Sequence, residues 1–130
     1  MPNWCENEVT ITGDTEEQIE EFKKYVTAGE CEFSFDAIIP MPENIKETTY
    51  NHLGSNVNPN WYDWSIENWG TKWDADDVQI VDEDENSIKY IFDTAWSPPE
   101  PICVALRTKF PAINIFWFYR EDGMQIAGYL

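Results

Sequence analysis

The N-terminal segment alternates between apolar and polar residues. From residue 4 to residue 12, Cys5, Val9 and Ile11 share one parity, whereas glutamates and threonines occupy the other. Because successive side chains of a strand point to opposite faces, this alternation is typical of a strand that buries one face. We therefore expect a half-buried β-strand at the start of the domain.

After this strand, apolar residues return at every third or fourth position, which is the spacing of an amphipathic helix. Asp14, followed three residues later by Glu17, has the spacing of a helix N-cap, and Gly29 suits the end of a helix. Together these signals predict a helix from about residue 14 to residue 28.

The middle of the chain contains fewer regular patterns. Residues 32–39 alternate again and stop at Pro40, so they predict a short strand. The polar stretch 43–60 predicts a long loop, in which we expect the greatest mobility. Aromatic residues then recur in 61–70 with a spacing that favours a short helix ending at Gly70.

The C-terminal half predicts a hairpin, a helix and two strands. Residues 78–92 alternate on both sides of an acidic turn, which is typical of a β-hairpin. Ser97 precedes two prolines and has the features of a helix cap, so we expect a helix of about ten residues that ends near Phe110. Runs at 113–119 and 124–130 predict two further strands.

This order of elements places the chain in the α+β class. It predicts a ferredoxin-like antiparallel sheet packed by two helices, with a Trp-rich irregular or helical insert at about residues 40–77 and an extra C-terminal strand. A length of 130 residues suits one core, so we expect residues 1–130 to form a single domain.

Charge narrows the choice of partners. The chain has 25 acidic residues against 8 Lys and Arg, which gives a formal net charge of −17. Affinity for naked nucleic acid and for anionic membranes depends on basic groups, so neither is an expected partner. The 42% of hydrophobic residues, with seven Trp among them, nevertheless supply enough apolar surface for a folded core.

The sequence also bears on location and cofactors. It has no apolar run of the length that spans a membrane and no basic-then-apolar start, so we expect a cytoplasmic protein. The three cysteines are widely spaced and form no Cys-x-x-Cys pair, which indicates small buried hydrophobic residues. With a single histidine in addition, we expect neither a metal site nor a cofactor.

Four motifs of the chain are characteristic of a known family. They are residues 1–7 (MPNWCEN), 40–42 (PMP), 68–74 (NWGTKWD) and 94–99 (TAWSPP). In this order, over nearly the whole chain, they resemble the YubB-type ferredoxin-like family of phage and plasmid proteins. The resemblance implies a ferredoxin-like fold and an origin on a mobile genetic element. It implies no activity and no catalytic residues.

Two of these motifs bring tryptophans close to polar groups. Indole faces stack on flat rings and attract cations, so these residues are candidates for a ligand pocket. The candidate ligand-binding residues are Trp69, Gly70, Thr71, Lys72, Trp73, Asp74, Trp96 and Ser97. The alternative is that the tryptophans belong to the core. Lys72 either pairs with Asp74 or faces the anionic group of a ligand.

The acidic residues around the hairpin form a second candidate site. They are Asp74, Asp76, Asp77, Asp82, Glu83, Asp84 and Glu85. Such a run can imitate the phosphates of nucleic acid and bind a basic groove of another protein. The alternative is that the charge only keeps the protein soluble and monomeric.

Three other patterns are weaker. Residues 82–93 partly match a calcium loop, although a solvated hairpin turn explains them better. Pro2 at the N-terminus could serve as a secondary amine, but an ordinary strand start is the simpler interpretation. Cys5 or Cys103 would meet His52 only if the fold happened to bring them together.

These observations favour a non-enzymatic interaction protein of a phage or plasmid. Its expected partner is a host or defence protein with a basic surface, and the oligomeric state is left open. The alternative is a small-molecule binding module in which Trp69, Trp73 and Trp96 enclose a nucleotide-like or cationic ligand. An enzyme is the residual alternative.

Overall fold

The computed structural model describes residues 3–48 and 60–130. Its strands are β1 (Trp4–Thr12), β2 (Asp76–Glu83), β3 (Ser87–Ala95), β4 (Asn114–Glu121) and β5 (Ile126–Tyr129). Its helices are α1 (Glu16–Val26), α2 (Phe35–Ile38), α3 (Glu43–Lys46), α4 (Trp61–Asn68) and α5 (Glu100–Lys109).

The strands form one antiparallel sheet in the order β2-β3-β1-β4-β5. The chain order β1, α1, β2, β3, α5, β4 combined with the sheet order β2-β3-β1-β4 is the ferredoxin-like arrangement. The last strand, β5, pairs with β4 and extends that edge. The predicted α+β fold, the hairpin of β2 and β3, and the extra C-terminal strand are therefore confirmed.

The core lies between one face of the sheet and the helices α1 and α5. The alternation in β1 buries Val9 and Ile11 completely, as the sequence pattern predicted. Phe33 fills the centre, with its ring centroid 4.9 Å from that of Phe92 and 5.0 Å from that of Tyr90. Trp117 of β4 closes the same aromatic cluster at 6.0 Å from Phe33. Offset and edge contacts of this kind stabilise a core beyond the area they bury.

The predicted strand over 32–39 is wrong, because Phe35–Ile38 form the single helical turn α2. The hydroxyl of Ser34 caps this turn by accepting a hydrogen bond from the Ala37 backbone N–H. A carboxylate from a distant segment, Asp74, accepts the backbone N–H groups of Phe35 and Asp36. Contacts across 38 or 39 residues thus decide the local conformation, and the alternation of apolar residues did not reveal them.

Two predicted caps are also wrong. The N-cap of α1 is Thr15, which forms a capping box with Gln18, instead of Asp14. The N-cap of α5 is Pro99, without a side-chain hydrogen bond, instead of Ser97. The extents of the two helices, at 16–26 and 100–109, nevertheless agree with the predicted positions to within a turn.

The segment between α2 and β2 is partly helical. The predicted helix at 61–70 is confirmed as α4, with the Asn60 side chain as its N-cap. The predicted loop over 43–60 begins with α3, so its first four residues are helical. The remainder of that prediction, including mobility, falls mainly on residues 49–59, which lie outside the described part of the chain.

A buried hydrogen-bond network joins the central strands. Asn7 of β1 is fully buried, and its amide donates to the hydroxyl of Thr94 on β3 at 3.0 Å. The indole N–H of Trp117 on β4 donates to the Asn7 side-chain oxygen at 3.0 Å. Asn7 therefore ties three neighbouring strands together through groups that have no access to water.

The same network continues into the loop that follows α4. The Thr94 hydroxyl donates to the Ser97 carbonyl at 2.7 Å, and the Ser97 hydroxyl donates to the Gly70 carbonyl at 2.9 Å. The fully buried hydroxyl of Thr71 donates to the Ala95 carbonyl at 3.2 Å. The loop of residues 69–74 is in this way fastened to the end of β3.

We expect Thr94→Val to lower the free energy of unfolding by about 1–3 kcal/mol. The substitution removes the donor of the Ser97 carbonyl and one acceptor of the buried Asn7 amide, which keeps only the Cys5 and Phe92 carbonyls. Urea unfolding monitored by circular dichroism measures this change. Thr10→Val, at a half-buried strand position on the opposite face, is the matched control and should have a much smaller effect. Equal losses in both variants would contradict a special role for the network.

Candidate functional site

A groove of about 350 Å³ lies beside the loop 69–74, near the helices α3 and α4. It is lined by aromatic, apolar and charged side chains from several segments of the chain. These are Asp36, Met41, Lys46, Trp61, Ser65, Trp69, Lys72, Trp73 and Asp74. The volume is at the lower end of the range for small-molecule sites.

The two tryptophans of the loop contribute differently. Trp69 is 5% exposed, and its indole N–H donates to the Ile39 carbonyl at 2.9 Å. Its ring also packs edge-on against Trp64, so it is chiefly a core residue that forms a fixed wall. Trp73 is 39% exposed and has its ring centroid 6.1 Å from that of Trp4. Trp73 therefore presents a supported aromatic surface to solvent.

Lys72 lies over aromatic rings. Its ammonium nitrogen is 4.6 Å from the centroid of the Trp73 ring and 5.6 Å from that of the Tyr62 ring. None of the ion pairs within the described ranges includes Lys72. Of the two roles that the sequence left open, pairing with Asp74 is thus not what the structure shows.

Asp74 instead serves the fold. One of its oxygens accepts the Phe35 and Ala75 backbone N–H groups, both at 2.7 Å. The other accepts the Ser34 hydroxyl at 3.0 Å and the Asp36 N–H at 3.2 Å. Four donors surround this carboxylate, so little of its capacity is left for a ligand.

The second carboxylate of the groove, Asp36, is paired with a cation. Asp36 accepts the Met41 backbone N–H at 2.8 Å and the Lys46 ammonium at 3.0 Å. Lys46 lies 3.4 Å from Glu43 as well, which completes a small exposed ion-pair network. This network fixes α3 against the loop that precedes it. On that side of the groove, the charged groups pair with one another.

The remaining predicted ligand residues lie outside the groove wall. Gly70 adopts φ +81°, and Pro101 would clash with a side chain there, so glycine is required. Thr71 and Ser97 are used in the buried network. Trp96 is 49% exposed and adopts φ +72°, a conformation that is uncommon for any residue except glycine. Its backbone N–H donates to the Asn3 carbonyl at 2.9 Å.

Sequence analysis missed several residues of the groove. Trp61 and Ser65 are four positions apart, which places them on the same face of α4, and this spacing was visible in the predicted helix. Met41 lies within the PMP motif. Asp36 and Lys46 carried no sequence signal, since their meeting depends on how α2 and α3 pack.

The predicted acidic residues lie mostly on the edge strand β2 and on the turn that follows it. Asp74 is half-buried, whereas the other six members are exposed. Lys23 of α1 pairs with Glu83 of this edge and lies 3.6 Å from Glu20. Both carboxylates raise the pKa of Lys23, with the Glu83 hydrogen bond as the main cause. The Lys23 bridge connects β2 to the exposed glutamates of α1. We call this combined surface the acidic face; its residues are Glu16, Glu17, Glu20, Glu21, Asp76, Asp77, Asp82, Glu83, Asp84 and Glu85.

Most basic side chains are already engaged within the protein. Four of the eight form ion pairs: Lys23, Lys46, Lys89 and Arg120. Lys72 and Lys109 lie over aromatic rings, and the guanidinium of Arg107 donates to the Ile115 and Leu130 carbonyls. The excess of acidic groups at the surface is thus left largely uncompensated.

Carboxylates also form a row across the sheet. Glu6 on β1 pairs in register with Asp93 on β3, and Asp93 pairs with Asp76 on β2. Partial burial raises the pKa of Asp93, and Glu6, Asp77 and Asp76 raise it further. Like charges directly opposite each other destabilise a sheet, so this row costs stability at neutral pH.

Two of the cysteines are buried as predicted. Cys5 and Cys103 are 0% and 1% exposed, and burial is the main cause that raises the pKa of Cys5 to about 11. Cys31 is only half-buried, and its thiol donates to the Phe33 carbonyl. The possible partner of a cysteine, His52, lies outside the described residues, as does Pro2. Across residues 3–48 and 60–130 no helix has the length and apolar character needed to cross a membrane.

Comparisons with known proteins agree with this architecture. Residues 68–130 match the family model described as the ferredoxin-like domain in Api92-like protein. The chain is 26% identical to YubB of Escherichia coli (strain K12), an uncharacterized protein, over 68% of this chain and 69% of YubB. The fold is similar to the crystal structure of protein api92 from Yersinia pseudotuberculosis, with a TM-score of 0.66 and 12% identity over 99% of this chain and 93% of that one. The resemblance and the fold predicted from the sequence are confirmed.

We expect Asp93→Asn to raise the free energy of unfolding at neutral pH by about 0.2–1 kcal/mol, because it removes a partly buried charge and relieves repulsion within the carboxylate row. A carboxyl with a raised folded-state pKa is penalised only when ionised. The gain should therefore shrink as the pH falls through that pKa and vanish below the unfolded value of about 3.9.

Urea unfolding at several pH values tests this expectation. Glu85→Gln removes the same charge from the exposed turn and serves as the control for the overall change in net charge. A gain in Asp93→Asn that is independent of pH, or no larger than that of the control, would contradict the explanation.

Proposed function

Since residues 68–130 match the model of the ferredoxin-like domain in Api92-like protein and the chain is similar to YubB, we propose that it is a non-enzymatic interaction protein of a phage or plasmid. It acts in the bacterial cytoplasm and binds a host or defence protein through its acidic face. The partner presents a basic surface that otherwise holds nucleic acid.

One observation carries the proposal: a bridge through Lys23 connects the exposed acids of α1 to those of β2, and these acids far outnumber the basic residues beside them, Lys23 and Lys24. Lys23 joins the two elements through Glu20 and Glu83 and is thereby occupied. A formal net charge of −17 adds a long-range field that steers a basic partner and repels nucleic acid itself. Charge of one sign on a rigid strand and helix suits recognition of a basic groove.

The position of β2 supports the same interpretation. It is an edge strand whose outward side chains are mostly exposed, so a partner can reach its carboxylates directly. Charges on an edge strand also prevent pairing with other strands, and solubility alone would explain that part. Protecting an edge strand from aggregation does not require acidic residues on a neighbouring helix. The glutamates of α1 therefore need a different explanation.

Capture from a bacterial lysate at low salt, followed by a dissociation constant measured with the purified partner, tests the proposal. We expect a stoichiometric basic protein whose binding weakens steeply as salt rises. Asp76→Asn, Asp82→Asn and Glu85→Gln combined should weaken binding roughly tenfold, at about 0.5 kcal/mol for each exposed charge.

The matched control changes the net charge equally but away from the acidic face. Glu30→Gln, Glu47→Gln and Glu67→Gln replace three exposed glutamates elsewhere and should leave most of the affinity intact. Binding that is insensitive to salt, or an equal loss in both triple variants, would contradict recognition through the acidic face.

A second candidate function is the binding of a small molecule in the groove. The observation that favours it is the pair of Lys72 and Trp73, which meet beside the wall formed by Trp69. The indole is half-exposed, and within the described ranges the ammonium group has no carboxylate partner. Aromatic walls with a few placed polar groups are typical of ligand sites.

A further inference from the structure

The groove differs in its charge from the rest of the protein. Both of its carboxylates are engaged by donors of the protein: Asp74 accepts hydrogen bonds from three backbone N–H groups and one hydroxyl, and Asp36 pairs with Lys46 and accepts a backbone N–H. The Lys72 ammonium, in contrast, has only aromatic rings as close partners among the described residues. Among the charged groups that line the groove, Lys72 is thus the cation that keeps its charge available to a ligand.

Lys72 also decides between two classes of ligand. A cationic ligand at the exposed indole would be repelled by the ammonium of Lys72, which lies 4.6 Å from the Trp73 ring centroid. It would also need an unsatisfied carboxylate, and those of Asp36 and Asp74 are occupied. An anionic group, in contrast, gains a charge-assisted hydrogen bond from Lys72.

We propose that the groove binds a small planar aromatic molecule that carries an anionic group. The ring packs on Trp73, and the anionic group accepts a hydrogen bond from Lys72. A volume of about 350 Å³ accommodates one or two fused rings with a short arm. This inference rests on the second candidate function and specifies its ligand class.

The negative field of the whole chain does not prevent this binding. At physiological salt, charges farther away than about 8 Å are largely screened, whereas a direct contact with Lys72 is not. The groups in direct contact with the anion therefore determine its binding affinity. This affinity should not fall as salt rises from low to physiological concentration. This behaviour is the opposite of that expected for the acidic face.

Three naphthalene probes of equal ring size and different charge test the ligand class: naphthylacetate, naphthylacetamide and naphthylethylamine. Titration at physiological salt, followed by the indole N–H resonances in two-dimensional NMR, gives an affinity for each. We expect naphthylacetate to bind at least tenfold more tightly than the amide, with the amine weakest. The Trp73 resonance, identified by its loss in Trp73→Phe, should shift most.

Variants assign the preference to Lys72. Lys72→Met retains an unbranched side chain without the charge, so the affinity for naphthylacetate should fall to that for the amide while the amide affinity stays unchanged. Lys109→Met is the matched control, because Lys109 lies 5.5 Å from the Tyr25 ring centroid and does not line the groove. It should change neither affinity.

The outcomes separate the inference from the function on which it rests. If no probe binds at millimolar concentration, binding in the groove itself is overturned. If the amide or the amine binds as well as naphthylacetate, or if Lys72→Met keeps the preference, the groove binds ligands but the proposed class is wrong. Circular dichroism of each variant verifies that the fold is retained.

Discussion

The hydrogen bond between Asn7 and Thr94 is the contact on which the rest of the structure depends. It joins β1 to β3 in the interior of the sheet, where neither group has access to water. Thr94 in turn donates a hydrogen bond to the Ser97 carbonyl, and the Ser97 hydroxyl donates one to the Gly70 carbonyl. A buried chain of this kind is stable only when every member is satisfied, so it holds the loop 69–74 in a single position. That position determines where Lys72 and Trp73 lie.

The end of this loop divides the acidic residues of the region into two groups. Those of one group make hydrogen bonds within the fold, and those of the other are exposed to solvent. Asp74 turns inward and caps α2, so one acidic residue of the hairpin region becomes structural. The acids that follow lie on the edge strand β2 and keep their charge exposed. An aromatic groove with a positive group and an acidic face of opposite character therefore occur on one small domain, since the loop and β2 are consecutive in the chain.

The family motifs are explained largely by packing. Asn7, Gly70, Thr71, Thr94 and Ser97 all belong to the buried network or to the close approach that it requires. Motifs of this kind identify a fold because their residues make its buried contacts, and they carry no chemistry by themselves. The exposed members, Lys72, Trp73 and Trp96, are the ones for which packing alone gives a less complete explanation.

The sequence by itself determined the elements whose signals are local: the alternation of β1, the hairpin of β2 and β3, and the periodicity of α1. These patterns reflect burial of one face and need no knowledge of distant residues. Only the tertiary structure decided that Phe35–Ile38 are helical, because the carboxylate that satisfies this turn comes from Asp74. Only the tertiary structure also assembled the groove, since Asp36, Lys46, Trp61 and Lys72 are separated in sequence and meet through the packing of short helices. Contacts between such distant residues leave no periodic signal in a single sequence.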